Sequence, residues 1–188
     1  MYSKLPAFVL GFHGCDVSVH DDVLKKGIEL NQSTNDYDWL GHGIYFWEQS
    51  PKRALEYAEE LKRNPRKSKH PIKTPCVIGA IIDLSSCLNL LDSACIGVVK
   101  SAYEGYSLIT PEDRRPTNKG GADLLLRYLD CAVIQALHGF TKGKYDTVRG
   151  LFREGEPLYD GAGFFEKTHI QICVRNAECI KGYFEPKL

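Results

Sequence analysis

The sequence predicts an α+β domain built on antiparallel sheet. Two observations carry this. Apolar, β-branched runs stand near the start ("AFVLGFHG"), the middle ("TPCVIGAIIDL") and the end ("THIQICV") of the chain. The two strongest helical patterns, "SPKRALEYAEELKRN" and "ADLLLRYLDCAVIQALHGF", fall between those runs instead of following every strand. A chain of 188 residues is read as one domain spanning 1–188, large enough to bury a core without disulfides.

In chain order, Ala7 to Phe12 reads as a buried strand ending at His13-Gly14. "HDDVLKKGIEL" reads as a short helix, with Asp21 or Asp22 near its start and Gly27 near its end. "NQSTNDYDWLG" is turn-rich loop, and "GIYFWE" a second short strand. The next helix takes Ser50 as N-cap and Pro51 as first helical residue, with Ala54, Tyr57, Ala58 and Leu61 on one face. "PRKSKHPIK" is a basic loop, and "TPCVIGAIIDL" a central strand. "CLNLLDSACIGVVKSAYEGY" mixes loop and helix signals, and "TPEDRRPTNKGG" is a polar linker. "ADLLLRYLDCAVIQALHGF" is a long apolar helix, and the segment after it is mixed, punctuated by Gly150, Gly155, Gly161 and Gly163. Residues 100–165 are therefore read as an inserted helical or loop element. Thr168 to Val174 is a good strand, and a last strand ends at Phe184.

Lys+Arg and Asp+Glu both number 24, so global charge argues for neither nucleic acid nor a membrane surface. The seven cysteines are odd in number, lack a C-x-x-C and sit mostly among apolar residues. They read as reduced core thiols of a cytoplasmic protein, with neither disulfides nor a zinc site. The N-terminus lacks the pattern of a secretory leader, and no stretch approaches the ~18 apolar residues of a membrane span.

The chemistry concentrates in a few short stretches. A glycine backbone beside an aromatic ring suits a flat ligand: the ring stacks, and the bare backbone offers a donor and an acceptor at close range. His13-Gly14 and "GHGIYF", residues 41–46, both supply strand edges of that kind. Each also has a plain structural alternative, a turn for His-Gly and a core ring for Tyr45. On the late strand His169, Gln171 and Cys173 share one face. Lys62, Arg63, Arg66, Lys67, Lys69 and Lys73 form a basic run that either grips phosphate or is simply solvated. Arg149 and Arg153 flank Gly150 and either meet a phosphate or lie at the surface. Tyr37 and Trp39 either stack on a base or close their loop over the core.

"FHG", a helix, "LGHGIYF" and "SPKRALEYA", in that order, resemble the ADP-ribosyltransferase fold, nearest its poly(ADP-ribose) polymerase and diphtheria-toxin branch. The resemblance covers residues 7–90 well and 165–185 moderately, and leaves 100–165 unexplained. It implies a split β-sandwich of two antiparallel sheets with peripheral helices. It also implies an NAD-dependent mono-ADP-ribosyltransferase, with NAD as co-substrate and no metal. His13 would bind the ribose, and Gly14 and Gly43 would belong to the cofactor site. Tyr45 and Tyr57 would sandwich the nicotinamide, and Ser50 would help with the carboxamide. Where the family most often carries glutamate, the late strand has Gln171, which can hydrogen-bond a hydroxyl but cannot act as a carboxylate base. Single transfer fits that better than polymer growth. Alternatively the acid comes from Glu154, Glu156 or Glu166, with Glu154 the first choice. Small members of this fold are often toxins or defence effectors, so the implied partners are a protein or RNA/DNA acceptor and an antitoxin or regulator. A silent NAD- or ADP-ribose-binding module and an NAD glycohydrolase stand as the alternatives.

Overall fold

A computed structural model describes residues 8–67, 70–121 and 124–188. Of the positions singled out above, Ala7 and Lys69 lie outside the described residues, as do Ala122 and Asp123 at the start of the predicted long helix. The strands are β1 (Phe8–Asp16), β2 (Ile44–Glu48), β3 (Pro75–Asp83), β4 (Cys87–Asn89), β5 (Thr147–Phe152), β6 (His169–Val174) and β7 (Ile180–Phe184). The helices are α1 (Val17–Lys26), α2 (Pro51–Arg63), α3 (Ser93–Ile109) and α4 (Tyr128–Phe140).

The fold is mixed α+β. Its seven strands hydrogen-bond in the order β4-β5-β6-β2-β1-β3-β7. All neighbours are antiparallel except β4 and β5, which run parallel, so the wholly antiparallel expectation is corrected there. The ladders differ greatly in length. β1 and β3 pair from Phe8↔Asp83 to Asp16↔Pro75, whereas β1 and β2 share only Gly11↔Glu48 and Phe12↔Trp47. Two expected sheets are thus joined into one through a two-pair seam.

Strand alternation sorts side chains to two faces. Ile44, Phe46, Ile78, Ala80, Ile82, Ile172 and Val174 form the core of the back face, which α1 closes with Val23. On the front, α2 covers β1 and β3 through Ala54, packed with Phe12, Trp47 and Val77. The helix pair α3 and α4 covers the far end, where Leu88, Val133, Ile134, Leu137, Val148 and Cys173 meet. Each fully buried aliphatic or aromatic side chain of these clusters contributes about 1.5–3 kcal/mol.

Local chemistry explains several boundaries. α1 begins at Val17, earlier than predicted, because the Asp16 carboxylate accepts the Ser18 N–H and also takes the N–H groups of Lys73 and Thr74. Those donors, Thr74 foremost, hold the Asp16 carboxyl well below the usual range. Gly27 ends the helix at φ 69°, as its position predicts. α4 begins only at Tyr128: Leu124 has φ 49° and Lys119 bridges Leu126, so "LLLR" is a turn. The stretch read as an insertion is woven into the sheet. β5 lies between β4 and β6, and α4 supplies the core beneath them.

Candidate active site

Where the β1–β2 ladder stops, a side chain takes over. His13 Nδ1 lies 2.8 Å from the carbonyl oxygen of Tyr45. A carbonyl only accepts, so Nδ1 carries the proton and Nε2 presents a lone pair. Burial pushes the His13 pKa down, which favours this neutral form. His13 therefore stands in the wedge between the parting strands, its ring edge-on to Phe46 at 5.9 Å.

Gly14 is demanded by packing: a Cβ there would sit 2.0 Å from the Ala54 carbonyl oxygen of α2. Gly43 is equally constrained, since a Cβ would meet Cys173 Sγ at 2.5 Å. Both backbone groups of Gly43 are bonded to Ser33. The Tyr45 hydroxyl donates to Gly41 O at 2.7 Å and accepts from Leu40 N at 2.9 Å, so it locks the preceding loop. Its pKa is driven far up by burial. Ser50 stands at the N-cap position of α2 but makes no side-chain capping bond.

The front face between α2 and α4 gathers the remaining candidates. Tyr57, 40% exposed, lies tilted on Trp47 with ring centroids 4.8 Å apart. The ring that Tyr57 touches is thus Trp47, two residues along β2 from Tyr45. Trp47 is opposite Gln171 in the β2–β6 ladder and is 4% exposed, and its Nε1–H has no hydrogen-bond partner. Gln171 Nε2 is 3.0 Å from His169 Nε2, and His169 Nδ1 is 2.6 Å from Lys167 O. The carbonyl again fixes the tautomer: His169 holds its proton on Nδ1, and Nε2 accepts from the Gln171 amide. The Gln171 carbonyl oxygen is then the end of the amide suited to a ligand hydroxyl. Burial lowers the His169 pKa, in keeping with a neutral ring. Glu154 approaches from the loop after β5, 3.9 Å from His169 Nε2 and 3.8 Å from the Arg53 guanidinium. Glu156 and Glu166 are exposed, so among the three glutamates Glu154 is the one the fold brings beside Gln171.

The structure thus places Tyr57, Gln171 and Glu154 together and joins His13 to Tyr45 through the backbone. Trp47 and Arg53 enter the same cluster unannounced, beside His169, which the period of two had already set on one face with Gln171. The same period was a sufficient signal for Trp47, which shares a face with Tyr45. Nothing local marked Arg53.

Other candidates have structural partners. Arg149 grips Glu48 bidentately, with Nη2 to Oε1 at 2.8 Å, and reaches Asn89 at 3.2 Å. Arg153 lies over the Phe165 ring at 4.3 Å. Trp39 donates to Leu125 O at 2.8 Å, packs on Phe152 at 4.3 Å and carries the Arg127 guanidinium at 4.8 Å. Tyr37 packs on Tyr128 at 5.7 Å. Lys62, Arg63, Arg66 and Lys73 are exposed. Among the described residues no group of three His, Cys, Asp or Glu could hold a metal ion, and no helix is long and apolar enough to cross a membrane. No family model matches the chain, and neither the curated proteins nor the solved structures give a match.

Proposed function

We propose that the chain binds NAD in the wedge between β1 and β2 and along the front face beside it, and transfers ADP-ribose to a macromolecular acceptor. What supports this is an adjacency: β1, β2 and β6 lie side by side, so three distant stretches of chain set His13, Tyr45 and Gln171 on neighbouring strands, Tyr45 and Gln171 on the front face and His13 at the seam, bonded to the Tyr45 backbone. The same order is compatible with a split β-sandwich opened at the two-pair seam.

In this reading the His13 Nε2 lone pair accepts a ribose hydroxyl. The exposed Tyr57 ring and its Trp47 neighbour hold the nicotinamide, with Tyr45 fixing the loop behind it. The bond from ribose C1′ to the pyridinium nitrogen breaks, and its electron pair neutralises the leaving group. The sugar passes through an oxocarbenium-like state, as in glycoside cleavage. The Gln171 carbonyl accepts a ribose hydroxyl and steadies that state. Glu154 takes the proton of the acceptor as the new C1′ bond forms. Gln171 brings no carboxylate of its own, which favours single transfer over chain growth.

A second reading, a silent binding module, draws on the long ion pair that already engages Glu154 with Arg53, beside the neutral His169 ring. Adenylate-labelled NAD separates the two. Transfer predicts free nicotinamide and label on protein or nucleic acid, each cut at least tenfold by His13→Ala and by Tyr57→Ala, or ~1.4 kcal/mol of barrier. Nicotinamide without macromolecular label makes the chain a glycohydrolase. NAD binding without release makes it a binding module, and no binding at all overturns the proposal.

A further inference from the structure

Immediately after His13-Gly14, Cys15 stands directly opposite Cys76 in the β1–β3 ladder. Their sulfurs are 3.9 Å apart. Directly opposed residues of antiparallel strands have Cα atoms about 4.5–5.5 Å apart, inside the ~4.4–6.8 Å span of protein disulfides. Opposed Cβ atoms are about 4.5–5.5 Å apart and a disulfide holds them at about 3.5–4.5 Å, so rotation about the two Cα–Cβ bonds with a local closing of the strands by about 1 Å brings the sulfurs to bonding distance. We propose that Cys15 and Cys76 form a two-thiol oxidation site that reacts with small organic disulfides to give a Cys15–Cys76 bond.

The two thiols are unequal in the way such a pair needs. Cys15 is buried, while Cys76 is half-buried and reachable. The Cys76 pKa is lowered, first by the hydrogen bond from Cys15 and next by the charge of His20. The Cys15 pKa is raised by the same hydrogen bond and by burial. His20 is held between Asp21 at 3.1 Å and Glu185 at 2.5 Å, which raises its own pKa against the opposing effect of burial. The outer, more acidic sulfur is the attacking one and the inner sulfur resolves. In the first step Cys76 thiolate attacks one sulfur of the reagent RSSR, forming Cys76–S–SR and releasing RS⁻. In the second, Cys15 gives up its proton and attacks the Cys76 sulfur, expelling the second RS⁻. Both thiolates leave as thiols, so two electrons and two protons pass to the reagent. The other half-buried thiols, Cys87 and Cys95, sit outside this pairing, and burial raises the Cys87 pKa.

The test uses the reduced full chain and oxidised glutathione, quenched with an alkylating agent and mapped without reduction. The expected product is a cross-linked pair of peptides holding Cys15 and Cys76, with Cys76 consumed about tenfold faster than Cys87. Cys15→Ser should accumulate the Cys76 mixed disulfide instead, and Cys76→Ser should form no cross-link. Stable mixed disulfide at Cys76 in the wild-type chain, prior loss of Cys87 or Cys95, or unreacted Cys76 would each overturn the proposal. None of these readouts involves NAD.

Discussion

Gly14→Ala tests how closely α2 lies on β1. The new Cβ would stand 2.0 Å from Ala54 O, 2.9 Å from Ala54 C and 3.3 Å from Ala58 Cβ, and real Cβ contacts essentially never fall under 3.0 Å. The nearest atoms are helix backbone, so no side chain can swing away and α2 must retreat by about 1 Å. That movement loosens Ala54 and Ala58, both fully buried. Overpacking of this kind costs about 1–3 kcal/mol. In a chain of this size each kcal/mol moves the melting temperature by about 2–4 °C, so a fall of about 6–12 °C is expected at the upper cost. Gly97→Ala is the matched control. Gly97 lies on the exposed side of α3 with nothing within 4 Å of an added Cβ. Alanine there should stabilise by about 0.5–1 kcal/mol through helix propensity. Calorimetry or melting by circular dichroism should move the two variants in opposite directions. If Gly14→Ala melts within a degree of wild type, the α2–β1 approach described here is wrong.

Arg149→Met should cost about 3 kcal/mol in urea unfolding, because it strands Glu48, whose side chain is 10% exposed. Adding Glu48→Gln should recover much of that loss, and an unrecovered double variant would show that packing dominates. His138 is buried with neither ring nitrogen hydrogen-bonded, and burial pushes its pKa down to about 4 from 6.5. Between those values the unfolded chain binds the extra proton and the native one does not, so stability is lost as the pH is lowered from 6.5 towards 4, by up to about 3 kcal/mol. His138→Leu should flatten that part of the pH profile, and parallel profiles would refute the assignment. Glu154→Gln should suppress transfer more than Gln171→Ala if Glu154 takes the acceptor proton, with the reverse order moving that role to β6.

The strongest periodic segments were legible in the sequence. The Ser50-Pro51 start gave α2 to within a residue, and the unbroken "CVIGAIID" run gave β3. β5 was not legible: Arg149 and Gly150 interrupt its apolar pattern, and it becomes a strand because β4 and β6 flank it. α3 hid behind Gly97 and Gly105, and its helicity is sustained by packing on α4. In the site, Tyr57, Gln171 and Glu154 were readable as residue types, but their meeting depends on β6 pairing with β2 across more than a hundred residues. Local pattern carries no information about that pairing. Gly14 and Gly43 were flagged as places for a ligand to approach, whereas their missing side chains leave room for α2 and for Cys173.

The two-pair seam also bears on how the chain is made. On one side of it stand β1, β3 and β7, on the other β4, β5, β6 and β2, and the chain crosses between them repeatedly. Neither side is encoded by a continuous piece. A ribosome delivers β2 well before its neighbour β6, and β3 long before β7. Long waits between partners raise the loop-closure entropy of each pairing and leave strand edges open meanwhile. During synthesis the β1–β3 ladder, nine pairs long and complete once β3 has emerged, is the natural platform on which later strands collect.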